Sequence, residues 1–324
     1  MKIKNLKIEK LLPNLKKNVL LKDYTTFKIG GKAKYFLLTK TNQDLINAIK
    51  IAKSLNIPFF VLGKGSNLLI SEKGFNGLII KIENSKIKIR KKSKKIEFFC
   101  QAGVPLTKLV SYTAKNSASG LEWAAGIPGT VGGAIWGNAG AFNNSIANLV
   151  KSVKVLNTQN LKIVSFNPKK CRFSYRYSIF KSKKNLIILS AIFQLKKGNK
   201  KEVEKKIKEY LCYRKTHHPL NLPSVGSIFK NVKINKIKNW QLLKKFPEIE
   251  KFKKSGEIPA GWLIEKSNLK GKKIGGAKIS EIHANFIVNQ KEAKASDVKK
   301  IIELVKKRVK EKFAIALTEE ISYL

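Results

Sequence analysis

Glu122-Trp123-Ala124-Ala125-Gly126-Ile127-Pro128-Gly129-Thr130-Val131-Gly132-Gly133-Ala134, continued by Asn138-Ala139-Gly140-Ala141, is the stretch on which the reading of this chain turns. Between 126 and 141 nearly every residue is glycine, alanine, proline or another small or apolar type. Such a run is expected to make a poor helix and a poor strand, because glycine loses the most backbone freedom on ordering and has no side chain to pack. What it does well is bring backbone amides against a large flat or phosphorylated ligand. A purely structural turn rarely needs so many glycines in sequence.

Upstream lies a second glycine segment, Gly63-Lys64-Gly65-Ser66-Asn67. An amphipathic helix is expected over 42–55 (Leu45, Ile46, Ile49, Ala52, Leu55), stopped by Asn56 and Pro58. The strand Phe59–Leu62 then runs directly into the glycines, which makes a small α/β unit. Small residues at a strand end let N–H groups converge on a phosphate. The spacing is not that of a dinucleotide fingerprint, and taken alone a plain β-turn explains it equally well.

Further outward, residues 3–16 read as a docking helix, and Thr25-Thr26-Phe27-Lys28-Ile29-Gly30-Gly31 as a short strand and glycine turn. Strands are expected at 77–82, 87–90, 96–101, 152–157, 161–166 and 186–194, with helices at 105–116 and 200–214. A change of character at 215–223, with two histidines and two prolines, marks a domain boundary. Beyond it come a helix at 259–268, strands near 273–278 and 284–288, a helix capped by Ser296, and a last strand over Phe313–Leu317. The alternation argues for an α+β protein with two sheet-containing regions rather than one doubly wound sheet.

Composition narrows the function classes. The 324 residues suffice for two or three domains, and an apolar fraction of 43% is that of a globular protein. No apolar run approaches the ~20 residues of a membrane span, and the lysine-rich start is no secretory signal, so a cytoplasmic protein is expected. Cys100, Cys171 and Cys212 lie far apart and only three histidines exist, which argues for reduced thiols and against a metal site. The formal charge of +46 invites a polyanion-binding reading. Against it, only five of 67 basic residues are arginine (Arg90, Arg172, Arg176, Arg214, Arg308), whereas nucleic-acid contacts lean on arginine. Abundant lysine, isoleucine and asparagine instead suggest codon bias on a solvated surface. No nucleic-acid or membrane partner is expected.

Three further segments carry chemistry. In Phe173-Ser174-Tyr175-Arg176-Tyr177-Ser178 an arginine stands among aromatics in a lysine-using chain, which suggests bidentate anion binding; an arginine lying over aromatic rings is the plain alternative. Ser224-Val225-Gly226-Ser227-Ile228-Phe229-Lys230-Asn231 places a hydroxyl beside a lysine and an amide, with no histidine–aspartate pair to make a hydrolytic triad. In Leu317-Thr318-Glu319-Glu320-Ile321 a strand would turn adjacent glutamates to opposite faces.

In this order, the segments resemble the UDP-N-acetylenolpyruvoylglucosamine reductase family. The resemblance runs from Thr25 to Glu320, and also takes in Ala260-Gly261-Trp262-Leu263-Ile264-Glu265, Lys270-Gly271 and His283-Ala284-Asn285-Phe286. It implies a two-lobed FAD-binding domain of the vanillyl-alcohol-oxidase type, residues 1–80 and 81–215, then an α+β substrate domain, 216–324, whose final strand carries Glu320. Bound FAD, with NADPH as cosubstrate, would reduce a UDP-sugar enolpyruvyl ether to UDP-N-acetylmuramate. FAD would be held by Gly63, Lys64, Gly65, Ser66 and Asn67, and by Gly126, Ile127, Pro128, Gly129, Thr130, Gly132, Gly133 and Ala134. Arg176 matches the residue that clamps the substrate carboxylate, Ser227 the proton donor and Glu320 the catalytic glutamate. Lys230 and Asn231 would hold the substrate.

The chain also departs from the family pattern. Lys64 stands where a small residue is usual, and Val232 where proline is usual. The stretch 232–257, with Trp240, Phe246 and Pro247, is an insertion, and no long segment after Arg176 supplies a tyrosine lid. With only four residues beyond Glu320, the edge strand is expected to have little anchorage. Two rival readings stand beside this one: another FAD-dependent sugar or alcohol oxidoreductase of the same fold, and a basic polyanion-binding protein.

Overall fold

The computed structural model describes residues 2–234 and 246–324; Trp240 lies outside the described residues. The chain divides into two compact units. One comprises Met1–Val19, Ala33–Lys64 and Phe75–Arg214, the other Leu20–Lys32, Gly65–Gly74 and Lys215–Leu324.

The first unit holds two sheets. In the smaller, the order is Lys16–Leu20, Lys32–Thr39, Phe75–Ile82, Phe59–Leu62, with Phe75–Ile82 parallel to both neighbours. A parallel strand covered on both sides reads as an apolar run, and Leu78, Ile79 and Ile80 are fully buried. The helix Asn42–Ser54 starts at a reciprocal cap between Thr41 and Asp44. Its Leu45, Ala48, Ile49 and Ala52, spaced three and four apart, join Leu78 and Ile80 in one core. The larger sheet is antiparallel: Lys162–Phe166, Val150–Asn157, Leu186–Lys197, Lys95–Gln101, Ile87–Lys91. Phe98, Phe193, Leu109, Trp123 and Ile135 fill its core, while its Leu156 and Leu189 belong to the core of the smaller sheet. The N-terminal helix is shorter than its pattern suggests, Lys2–Leu11, because Pro13 follows.

The second unit is built on an antiparallel sheet ordered Ser224–Ser227, Phe286–Asn289, Ala277–Ile279, Lys273–Ile274. The helix Ala295–Phe313 buries Val298, Ile301, Ile302, Val305, Val309 and Phe313 in the same core as Leu263 and Ile264 of the helix Ala260–Lys266. Residues 25–31, expected to be a short strand and a glycine turn, contain no strand, with Thr26 and Phe27 in a turn and Lys28 at φ 56°. Long-range hydrogen bonds fix it: Thr26 Oγ1 donates to the Ser224 carbonyl at 2.7 Å, and Asn289 Nδ2 to the Phe27 carbonyl at 3.1 Å. Gly31 is forced by space, since a Cβ there would lie 2.0 Å from the Glu72 carbonyl oxygen.

The described ends of the insertion close on each other. Val232–Lys233 pairs with Glu257–Ile258, and Phe246 and Phe252 stack against Phe313 and Trp262 with ring centroids 4.7 and 5.5 Å apart. Ser296 does not cap the last long helix; it sits in the first turn, where its N–H and hydroxyl donate to Glu72 Oε1 at 2.8 and 3.0 Å.

Two expectations about the chain end are corrected. Phe313 closes the helix, Ala314 takes a left-handed cap, and the last strand is Ser322–Tyr323, so Glu320 precedes that strand rather than lying in it. Nor is this end loose. Ser322–Tyr323 pairs in parallel with Leu68–Leu69, and Leu324 exchanges backbone bonds with Leu69 and Ser71 at 3.1 and 2.9 Å. Among the described residues no helix is long and apolar enough to cross a membrane, and no cluster of potential metal ligands occurs.

Candidate active site

The glycine run that opened the sequence is less irregular than its composition suggests. Residues Val131–Gly137 form two turns of helix. Thr130 begins it, accepting the Gly133 N–H on Oγ1 at 3.3 Å, a cap worth about 1 kcal/mol. Asn138 ends it in the left-handed conformation. Val131, Ala134 and Ile135 supply the buried face, so packing outweighs the poor propensity of the glycines.

Those glycines have separate tasks. A Cβ on Gly132 would sit 3.0 Å from Ala102 Cβ, so this glycine lets the helix approach the chain beneath it. Gly133 and Gly137 lie four apart on one face, and among the described residues outside the backbone of their own helix the nearest atom to an added Cβ is Thr130 Oγ1, 3.6 Å away at Gly133. Gly126 and Gly129 have φ of 78° and 130°, which other residues adopt only under strain. Among the described residues, no acceptor binds the N–H groups of Gly129 and Thr130. Gly63 packs against this segment, since a Cβ there would lie 2.7 Å from Thr130 Oγ1, and Lys64 is exposed. A bare helix face, two unbound amides and crowding that only glycine relieves are what a flat, phosphorylated cofactor such as FAD requires.

Arg176 is tied to the same helix. It lies in a tight turn in which Ser174 and Tyr177 exchange backbone hydrogen bonds at 3.1 Å, and its φ of 54° costs about 1–2 kcal/mol for a side-chain-bearing residue. The turn is latched to the helix end twice: Asn138 Nδ2 donates to the Ser174 carbonyl at 2.8 Å, and Ser178 Oγ to the Trp136 carbonyl at 2.7 Å. The guanidinium carbon lies 5.4 Å from the Tyr175 ring centroid. Gly140 makes room beside it, since an added Cβ would stand 3.2 Å from Arg176 Nη1.

In the second unit, Ser227, Lys230, Asn231 and Glu320 come together on adjoining backbone. The strand Ser224–Ser227 bulges against Phe286–Asn289: Ser224 faces Val288 and Ser227 faces Phe286, with Gly226 at φ 81° inside the irregularity. A bulge re-aims the residue that follows it, which explains a glycine directly before the serine. Past Ser227 the chain is bound to residues 318–320. Glu320 N–H donates to the Ile228 carbonyl at 2.7 Å, and Lys230 N–H to the Thr318 carbonyl at 2.9 Å. Asn231 Oδ1 accepts the Ala260 N–H at 3.3 Å, binding a helix start that has no side-chain cap of its own.

The paired glutamates differ in their contacts. Glu319 is held by Lys306 and by the hydroxyl of Tyr323, whose phenol is pushed up by burial and then by the Glu319 carboxylate. Glu320 is half-buried, and its backbone is fixed on both sides, since its carbonyl accepts from Asn67 Nδ2 at 3.1 Å. Asn67, expected at the cofactor, thus also holds the glutamate segment. Gly65, at φ 62°, is required because a Cβ would lie 2.5 Å from the Tyr24 carbonyl.

Sequence reasoning passed over two residues. Arg214 is buried; its Nε donates to the Ala125 carbonyl at 2.7 Å and its Nη2 to the Trp123 carbonyl at 3.1 Å, directly before the glycine run. Arginine rarity, which singled out Arg176, pointed to it equally. Asn285 lies in a quoted motif that carried no assigned role, and its amide braces the segment after Ser227.

A family model described as FAD binding domain matches residues 33–166, and one described as UDP-N-acetylenolpyruvoylglucosamine reductase, C-terminal domain, matches residues 218–324. The UDP-N-acetylenolpyruvoylglucosamine reductase of Caldanaerobacter subterraneus subsp. tengcongensis is 38% identical over 319 residues, covering 97% of this chain and 96% of that protein. This chain belongs to the UDP-N-acetylenolpyruvoylglucosamine reductase family. A relative of the same name in Caldicellulosiruptor bescii is 40% identical over 94% of this chain and 88% of its own length. The crystal structure of the UDP-N-acetylenolpyruvylglucosamine reductase from Thermus caldophilus superposes with a TM-score of 0.74 at 30% identity, covering 94% of this chain and 97% of that one. The chain is therefore an FAD-containing oxidoreductase of this family, α+β, with a vanillyl-alcohol-oxidase-type FAD domain and a separate C-terminal domain.

Proposed function

We propose that this chain reduces UDP-N-acetylglucosamine enolpyruvate to UDP-N-acetylmuramate in cytoplasmic synthesis of the peptidoglycan precursor, with FAD bound and NADPH as reductant. The observation that carries the reading is the hydrogen bond from Glu320 N–H to the Ile228 carbonyl at 2.7 Å, which seats the glutamate beside the Ser227 segment. The chemistry that bound FAD supplies is hydride transfer, from NADPH to the flavin and on to the terminal vinyl carbon of the substrate.

The residues assigned to FAD are Gly63, Lys64, Gly65, Ser66 and Asn67, with Gly126, Ile127, Pro128, Gly129, Thr130, Gly132, Gly133 and Ala134. Residues 1–80 and 81–215 are its two lobes, and 216–324 the substrate domain. Arg176 clamps the substrate carboxylate through its fixed fork of donors. Negative charge develops on the carbon bearing that carboxylate once the vinyl carbon is reduced, so the arginine holds the charge as it forms. Ser227 donates the proton to that carbon; a hydroxyl is a weak acid, and the step needs a strongly basic partner with cationic help, for which Lys230 stands three residues on. Glu320 is the catalytic glutamate, seated beside that step by its backbone bond to Ile228. Asn231 contacts the sugar nucleotide.

Anaerobic titration tests this. NADPH should bleach the flavin of the purified yellow protein, and the enolpyruvyl nucleotide, but not a simple sugar or alcohol, should restore it. A protein that is colourless and takes up no FAD would remove the enzyme reading and leave the polyanion-binding one.

A further inference from the structure

Three hydrogen bonds of Asn285 meet on one short segment. Its Oδ1 accepts the Phe229 N–H at 2.9 Å, its Nδ2 donates to the Phe229 carbonyl at 2.8 Å, and its own carbonyl accepts the Ile228 N–H at 2.9 Å. Its N–H donates to His283 Nδ1 at 3.2 Å. Asn285 and Phe229 are 4% and 2% exposed, so no water competes for these bonds. The carboxamide thus satisfies both main-chain polar groups of a buried residue, as a neighbouring strand would. It does so where strand pairing has ended, because the ladder between Ser224–Ser227 and Phe286–Asn289 stops at Ser227 opposite Phe286.

On the other side of the segment stand Thr318 and Glu320. Ile228 is therefore gripped from both flanks, by Asn285 through its N–H and by Glu320 through its carbonyl. The Asn285 side chain holds Phe229 and its main-chain carbonyl holds Ile228, so this residue sets the height of the segment that carries Ser227 at one end and Lys230 at the other, beside the Ile228 carbonyl to which Glu320 is bonded.

We propose that Asn285 is a positioning residue for proton delivery, holding Ser227 and Glu320 in mutual register through Ile228 and Phe229. This rests on the assignment of Ser227 and Glu320 above. Few other residue types would serve, because the job needs a donor and an acceptor on one rigid planar group. His283 supports it: burial pulls the imidazole down, which keeps Nδ1 an acceptor for the Asn285 N–H at neutral pH. The charged and titratable groups around that ring are Lys270, Glu265 and His217, with His218 stacked edge-on at 5.6 Å.

The decisive variant is Asn285→Asp, measured with Asn285→Ala on the FAD-loaded full chain. An ionised aspartate keeps the acceptor and loses the donor, whereas a protonated one presents both, as the carboxamide does. Both variants should retain full flavin content and bleach with NADPH at the wild-type rate, while flavin reoxidation by the enolpyruvyl nucleotide slows about 10- to 1000-fold. For Asn285→Asp, the reoxidation rate relative to wild type should recover as pH falls from about 8 to about 6, because burial raises a carboxyl pKa. If Asn285→Ala fails to accumulate, the pH series on Asn285→Asp decides alone.

Equal slowing of both half-reactions, an unchanged reoxidation rate, or a pH-independent ratio would overturn the proposal. The outcome is separable from that of the underlying reading. A Ser227→Ala protein with normal reoxidation removes the reading itself, whereas slow Ser227→Ala beside normal Asn285→Asp removes only the role of Asn285.

Discussion

Glu320 donates its backbone N–H to the carbonyl of Ile228 at 2.7 Å, and this bond joins the segment 318–320 to the chain that follows Ser227. The neighbouring Glu319 is engaged by Lys306 and Tyr323. The bond also sets Glu320 beside the residue next to the serine proposed as proton donor.

The two glutamates should therefore respond differently to the same change. Glu319→Gln weakens a partly exposed ion pair worth about 0.2–1 kcal/mol, so Tm should fall by less than about 4 °C. Its flavin reoxidation should stay within about threefold of wild type. Glu320→Gln should slow reoxidation by about 10²-fold or more. Thermal melts and single-turnover traces on both variants check this, and similar behaviour of the two would count against the division of roles.

Arg176→Lys keeps a positive charge and loses the bidentate fork. The expected result is a fall of about 10²-fold in kcat/KM for the enolpyruvyl nucleotide with NADPH bleaching unchanged, read from steady-state and half-reaction kinetics. A full rescue by lysine would show that charge alone suffices at this turn.

Cofactor retention should depend on the clasp behind the glycine run. Arg214→Lys cannot reach both the Ala125 and Trp123 carbonyls in the same fork geometry. Gly126→Ala strains a residue at φ 78° and brings a Cβ to 2.9 Å from Arg214 Cδ. Each should weaken FAD binding about tenfold, the equivalent of about 1–2 kcal/mol of backbone strain or lost hydrogen bonding. Fluorescence titration of apoprotein with FAD provides the measurement.

Acid stability should report the larger sheet. Glu97 is buried, and hydrogen bonds from Lys151 at 2.6 Å and Lys92 at 2.9 Å hold its carboxyl down at about 2. Its unfolded-state value is about 4.3. A depressed carboxylate stabilises above the unfolded pKa, and that contribution disappears as pH falls through the folded one. The Tm gap between wild type and Glu97→Gln should be constant above about pH 5 and close between about pH 4.5 and about pH 2. A gap that widens on acidification would contradict the assignment.

How much of this was legible in the sequence depends on whether the signal was periodic or tertiary. The helix Asn42–Ser54 and the strand Phe59–Leu62 after it announce themselves by spacing, whereas the strand Lys32–Thr39 before it went unread. The turn at Thr25–Gly31 does not announce itself, because Asn289 and Ser224, distant in sequence, hold it. The helix Val131–Gly137 was hidden by glycines whose reasons lie in Ala102 and in an uncovered face, not in the local chain. Arg176, Ser227 and Glu320 could be named from motif order, but the bulge at Gly226 and the clamp by Asn285 are properties of strand register, which no single segment encodes. Arg214 was visible as a rare arginine, and only the fold reveals what it binds.

The central claim is that this chain divides reduction into two half-reactions and uses Ser227 only in the second. Stopped-flow spectroscopy of FAD-loaded Ser227→Ala under anaerobic conditions tests it most directly. Bleaching by NADPH should proceed at the wild-type rate, and reoxidation by UDP-N-acetylglucosamine enolpyruvate should be slower by about 10²- to 10⁴-fold. Equal loss in both steps, or reoxidation at the wild-type rate, would contradict the account.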